Sequence, residues 1–408
     1  MLGQYFAALQ HPQFRKLWWA NIWAQSAGWG LIVARGWLVF DHTHSSASVG
    51  IVTFAAMAPL FFVPPFAGVL ADRMHRGKLL QWTFAVNLAH NVALAILALM
   101  GHIEMWQIVL LTLVNGSARA VQIPTAQALA ANLVPKENLL NALSLSAAVT
   151  HGSRLVGPAL ATPLLGVLGA PAAFFLCSAF YAIGWLQIRG IKLPPVAVRK
   201  HQESIYQNFA GGLRYAWSEP VIRMLVVMTM FHCALTMAFE SLLPSFSTQT
   251  LGYGEEGFGM LMMGVGAGSL VGSLLMARIE SDVIRGRIYL LTGLLSGFGQ
   301  VALAATQTMG FALASSVIMG ASQAAFMTLV AAVTQSLARE EYRGRLASIH
   351  LFSVGGVMSA MNLANGALGT QFAATSILLV SGMAFMAVMM LAAVFALPRR
   401  VYVKGIPA

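Results

Sequence analysis

Twelve runs of apolar residues, each long enough to cross a bilayer as a helix, limit this chain more than any other feature. A helix needs about 20 residues to span the hydrocarbon. The runs fall at 17-40, 48-70, 78-100, 106-130, 142-165, 171-191, 222-245, 257-279, 288-308, 310-336, 346-368 and 372-397. Some links are only a few residues, such as Gly166 to Ala170 and Gly369 to Gln371, and predict tight turns between antiparallel helices. The alternating polar and apolar pattern of membrane barrel strands is missing. The chain reads as an all-α integral membrane protein with twelve transmembrane helices. Only 9% of its residues are charged, against about a quarter in soluble domains. Its net charge of +11 therefore has no solvated domain to sit on, and nucleic acid is excluded as a partner.

The basic residues set the orientation. With the N-terminus inside, all but three of the 24 lysines and arginines fall in inner loops or tails. Such a bias predicts both termini in the cytoplasm. The exceptions, Arg35, Arg119 and Arg154, lie within apolar segments. The opening MLGQYFAALQHPQFRK reads as a short cytoplasmic leader. Cys177 and Cys233 both sit in apolar runs and read as inert thiols, not a disulfide.

The one long polar stretch, KLPPVAVRKHQESIYQNFAGGLRYAWSEPV, divides the chain. It separates an N-terminal bundle of six helices, 1-191, from a C-terminal one, 222-408, with a cytoplasmic linker, 192-221, between them. Within it, SIYQNFAGGLRYAW is amphipathic and is expected along the inner membrane surface. A shift of 204 residues lays NLVPKENLLNALS over SLAREEYRGRLAS, and Gly68 over Gly272. Two parallel six-helix repeats form a transporter layout, with substrate expected near the midplane between them.

The segment GVLADRMHRGK, beginning at Gly68, resembles the loop between helices two and three of the major facilitator superfamily. It departs in having His75 where glycine is usual and Gly77 inside the basic run. PTAQALAANLVPKENLLNA, followed by Arg154, Gly157 and Pro158, is similar to the branch that includes the enterobactin exporter and related efflux proteins. Gly157-Pro158 resembles the antiporter signature of drug exporters, with Ala161-Thr162 in place of a glycine pair. Arg119 and Gln122 resemble the Arg-x-x-Gln of helix four, although Ile123 replaces the following glycine. The resemblance implies a major facilitator fold in a bacterial inner membrane. It also implies a conformational latch of Gly68, Asp72, Arg73 and Arg76, in which Asp72 meets the N-terminus of helix eleven. The repeat-equivalent of Asp72 is Met276, so the latch is single.

An arginine in hydrocarbon costs at least ~2.5 kcal/mol and must face a cavity or a partner. Three arginines in one half suit an anionic or polar small-molecule substrate. Arg35 and Glu240 occupy near-equivalent places in the two repeats and are expected to pair across an outer gate. Glu240 is the one acid placed inside a segment and the candidate proton carrier. His90 and His232 also lie in segments, where a lone histidine is more often a hydrogen-bonded filler than a relay; His232 is carried as a pathway candidate. No Walker loop, nucleophile elbow or metal-ligand spacing appears, so neither an enzyme nor a metal or organic cofactor is expected. The expected function is proton-driven export of a small organic molecule, a siderophore-like metabolite or a drug, by a monomer among membrane lipids. A lipid or lysolipid flippase of the same fold, and a non-transporting membrane sensor, are the alternatives.

Overall fold

The computed structural model describes residues 6–63, 75–191, 205–276, 281–392 and 394–404. Among these there is no strand, and nearly every residue is helical. The elements are α1 (Pro12–Thr43), α2 (Ser46–Met57), α3 (Arg76–Leu99), α4 (Met105–Asn132), α5 (Leu139–Arg189), α6 (Ile205–Ser218), α7 (Pro220–Leu235), α8 (Gly254–Met276), α9 (Asp282–Ala305) and α10 (Met309–Leu337). They continue with α11 (Arg343–Phe352), a π turn over Ser353–Val357, α12 (Met358–Leu368), α13 (Ala374–Ala392) and α14 (Ala396–Lys404). Among the described residues, seven helices are long and apolar enough to cross a membrane, or eight if α6 and α7 form one bent span. The protein is therefore a multi-pass membrane protein.

Local chemistry explains the breaks. The 142-165 and 171-191 segments run together as α5 and turn at Gly169, whose φ of 75° and ψ of 179° lie where only glycine is at ease. Pro171 follows, where a proline can reopen a helix. The start of α4 carries a capping box, in which the Glu104 amide donates to the Gln107 side chain at 2.9 Å. Gly68, Asp72 and Arg73 of the expected latch lie outside the described residues. Arg76 is the first residue of α3. A cation there opposes the helix dipole, so its place answers to loop topology and not to helix stability.

Contacts divide the chain into two units, Met1–His42 with Ala55–His201, and Thr43–Phe54 with Gln202–Ala408. The division falls inside the linker, between His201 and Gln202, and departs from a single cut by placing Thr43–Phe54, the first part of α2, with the second unit. There, a side chain at Gly50 would strike the Asn362 carbonyl at 2.9 Å, and one at Gly366 would strike the Gly50 Cα at 3.0 Å. Backbone thus meets backbone between α2 and α12.

The second unit depends on one further close crossing. Gly264, Gly268 and Gly272 repeat every four residues along one face of α8. A Cβ at Gly268 would collide with the Val317 carbonyl, and one at Gly272 with the Ala321 carbonyl. From the other side, a Cβ at Gly320 of α10 would collide with the Val265 carbonyl. Small residues allow this approach, and dispersion then replaces the hydrophobic drive that lipid cannot supply. Gly268→Ala is therefore expected to destabilise by about 1–3 kcal/mol, lowering the midpoint of thermal unfolding in detergent. Gly310→Ala, where a Cβ meets nothing within 4 Å, should leave that midpoint in place.

Candidate functional site

The seventh apolar segment, 222-245, is not one helix. α7 ends at Leu235, and residues 236 to 242 form turns before Leu243–Ser245 and a π turn over Phe246–Leu251. Glu240, expected within a helix, instead lies inside this interruption, 4% exposed. A break in hydrocarbon leaves backbone groups without intrahelical partners, each costing several kcal/mol if nothing replaces them. Pro244 contributes, since it has no N–H to give to a preceding carbonyl.

Four amide side chains from three helices satisfy the break. Gln300 of α9 donates Nε2 to the Leu235 carbonyl at 3.0 Å and to the Leu378 carbonyl at 3.2 Å. Gln323 of α10 donates Nε2 to the Thr236 carbonyl at 2.6 Å. Asn365 of α12 donates Nδ2 to the Ala238 carbonyl at 2.6 Å. Asn362, one turn earlier on the same face of α12, accepts the Ser241 amide at 3.1 Å. Both Gln300 and Gln323 are nearly without solvent contact, as is Asn362. The interruption is thus held open as a built feature, with a carboxyl inside it.

His232, one turn before the break, is fully buried. Its Nε2 pairs with the Ser296 hydroxyl at 3.1 Å. Its ring stacks on Phe326 with centroids 4.4 Å apart and meets Phe385 edge-on at 5.2 Å. Tyr289 extends the stack onto Phe326 at 4.9 Å. The structure therefore places His232 in an aromatic core behind the break.

In the first unit the three intramembrane arginines occupy three different helices. Arg35 of α1 is 4% exposed and within electrostatic reach of His90 and Cys177. Arg119 of α4 lies against α1: a methyl at Gly28 would stand 3.1 Å from its guanidinium carbon. Tyr181 of α5 also feels its charge. Arg154 of α5 lies over the Trp29 ring, 4.5 Å from its centroid, a cation–π contact that suits a cation in an apolar setting. Gly157 and the buried Pro158 mark the crossing of α5 with α1. A side chain at Gly157 would meet the Gly30 amide nitrogen at 2.7 Å and the Trp29 Cβ at 2.8 Å. The motif here works as a close contact, and Pro158 cannot donate to the Arg154 carbonyl.

Beside these arginines lies a buried amide relay. Asn87 of α3 donates Nδ2 to the Gln122 carbonyl oxygen at 2.9 Å and accepts from Asn115 Nδ2 at 2.8 Å. Asn91 donates back to the Asn87 carbonyl at 2.8 Å. Sequence reasoning singled out Gln122 but missed Asn87, Asn115 and all four amides of the second unit. A signal existed: Asn362-x-x-Asn365 and Asn87-x-x-x-Asn91 each put two amides on one face of an apolar helix. Gln323 also stands 204 residues after Arg119, so the repeat offers a polar side chain to its own first helix in both halves.

Replacing Asn362 by leucine removes the acceptor of the Ser241 amide, and Asn365→Leu leaves the Ala238 carbonyl unpaired. Each is expected to destabilise by about 1–3 kcal/mol. Hydrogen exchange across residues 236–242 should quicken in both variants while α13 keeps its protection.

Comparison with known proteins agrees with this architecture. Residues 4–405 match the family described as transmembrane secretion effector. The chain is similar to the multidrug efflux pump Tap of Mycolicibacterium fortuitum, 26% identical over 362 residues, which cover 84% of each chain. It is similar to the staphyloferrin A transporter of Staphylococcus aureus, 24% identical over 271 residues, covering 65% of this chain and 67% of that one. Among solved structures it resembles the nucleoside transporter NupG, with a TM-score of 0.73 at 12% identity, covering 93% of this chain and 98% of the other. The chain belongs to the transmembrane secretion effector family of the major facilitator superfamily, and is a membrane transporter and not an enzyme.

Proposed function

We propose that this protein is a proton-coupled exporter of a small organic molecule, working by alternating access in a bacterial inner membrane. The single observation that carries this reading is Glu240 inside an interrupted, amide-satisfied helix. In carriers, interrupted helices place polar groups at membrane depth, where substrates and coupling ions bind. A carboxyl at membrane depth is the kind of group on which proton relays are built. The carbonyls of Leu235, Thr236 and Ala238 already accept amide N–H groups. That favours a proton over a metal cation, because a cation would compete with the amides for those oxygens.

The substrate class follows from the first unit. Arg35, Arg119 and Arg154 supply positive charge, and guanidinium groups bind carboxylates in a planar fork. An anionic metabolite of siderophore type, or a drug with acidic or polar groups, fits. The efflux pump and the staphyloferrin A transporter among the relatives support that range. Twelve spans with both termini in the cytoplasm complete the proposal, in line with the placement of lysines and arginines.

In everted vesicles, an imposed pH gradient should drive substrate uptake by the unaltered protein. Glu240→Gln should lower gradient-driven uptake at least tenfold while leaving substrate exchange at equal pH intact. Normal gradient-driven uptake by that variant would sink the coupling assignment.

A further inference from the structure

Over residues 210 to 218 the linker helix α6 buries Gly212, Tyr215 and Ala216 and exposes Leu213, Arg214, Trp217 and Ser218. Gly211 and Gly212 lie against Arg345, where a Cβ at Gly212 would meet the Arg345 Cβ at 2.8 Å. Tyr215 stacks on Tyr342 with ring centroids 4.1 Å apart and planes 9° from parallel. Its hydroxyl accepts the Arg339 amide at 3.2 Å. Tyr215 and Ala216 pack with Ile222, Val226, Leu346 and Ile349. α6 is thus clamped to the loop before α11 and to α11 itself, and is not merely laid on a surface.

About 100° round the helix from this clamp lies an apolar face. Leu213 and Trp217, four residues apart, are 36% and 47% exposed. Next to them, Arg214 is exposed. Arg223, also exposed, donates Nη1 to the Trp217 carbonyl at 3.2 Å. The helix axis turns by 115° between Ala210–Ser218 and Pro220–Leu235. If α7 runs along the membrane normal, α6 lies close to the membrane plane, at the level where a spanning helix ends.

We propose that the Leu213–Trp217 face of α6, flanked by Arg214 and Arg223, is a binding surface for anionic phospholipid. Tryptophan and leucine enter the boundary between headgroups and acyl chains. Arg214 and Arg223 supply attraction for a phosphodiester with a net negative headgroup. The clamp to Tyr342 and Arg345 fixes the face in register, so the lipid contact needs no ordering of a loose linker. This inference goes beyond the export reading and does not rest on it, because lipid contact can be read without transport.

The two native cysteines are buried, so a thiol probe attaches selectively to an exposed position. Bimane on Leu213→Cys of the full chain is reconstituted in vesicles of phosphatidylcholine and phosphatidylglycerol, with a nitroxide on the acyl chain of one lipid or the other. Quenching is expected from both, with nitroxide phosphatidylglycerol the stronger by about fivefold. Arg214→Gln in the same background should bring the two close to equal. Quenching by neither lipid would overturn the surface, whether the face points to water or is covered by protein. Equal quenching by both lipids with Arg214 present would overturn its preference for anionic headgroups. A transport defect in Glu240→Gln, or the lack of one, changes none of these readings.

Discussion

A helix interrupted at membrane depth must find hydrogen-bond partners, and the second unit is organised around that demand. Leaving several backbone groups of residues 235–241 bare would cost several kcal/mol apiece, enough to unfold a marginally stable protein. Gln300, Gln323, Asn362 and Asn365 remove that cost by reaching in from α9, α10 and α12. Each must be buried to do so, and a buried amide without its partner would itself be a penalty. The break and the amides therefore require one another. Their mutual dependence gives Glu240 a fixed place in a segment that would otherwise close into a continuous helix.

The same unit shows how those side chains are kept within reach. Glycines bring α8 against α10, so that Gln323 on α10 is held on a rigid support. On α12, Asn362 and Asn365 face the break, while the Asn362 carbonyl and Gly366 lie against Gly50 of the first part of α2. The first unit uses the repeat differently. Where the second unit has Gln323 donating to a backbone carbonyl, the first has Arg119 beside Gly28. A neutral amide suits the inside of a broken helix; a guanidinium brings a charge that a partner or substrate must balance. The two units thus place different groups at repeat-equivalent positions, a guanidinium in one and a neutral amide in the other.

Much of this was legible beforehand. Length and apolarity announced the spanning helices, the short link from Gly166 to Ala170 marked a turn, and the intramembrane Arg35, Arg119, Arg154 and Glu240 stood out by their charge. The helix break at Thr236 did not. TMAFESLLP contains no glycine and keeps its proline at the far end, so local propensity favours continuing the helix. What opens it is the set of amides, two of them more than 100 residues away in sequence. His232 was equally unreadable: its pairing with Ser296 and stacking on Phe326 depend on three helices meeting. The amphipathic pattern of α6 was visible, but its clamp onto Tyr342 was not, because stacking partners leave no periodic trace.

The sequence by itself determined that the chain is helical, spans a membrane many times and repeats in two halves. Hydropathy is a property of each segment alone, and internal similarity needs only the letters. The tertiary structure alone decided where one of those segments stops being a helix, which side chains hold it open, and which face of the linker helix is left exposed. Those outcomes depend on hydrogen bonds and close contacts between residues far apart in the chain, and a pattern within a segment does not contain them.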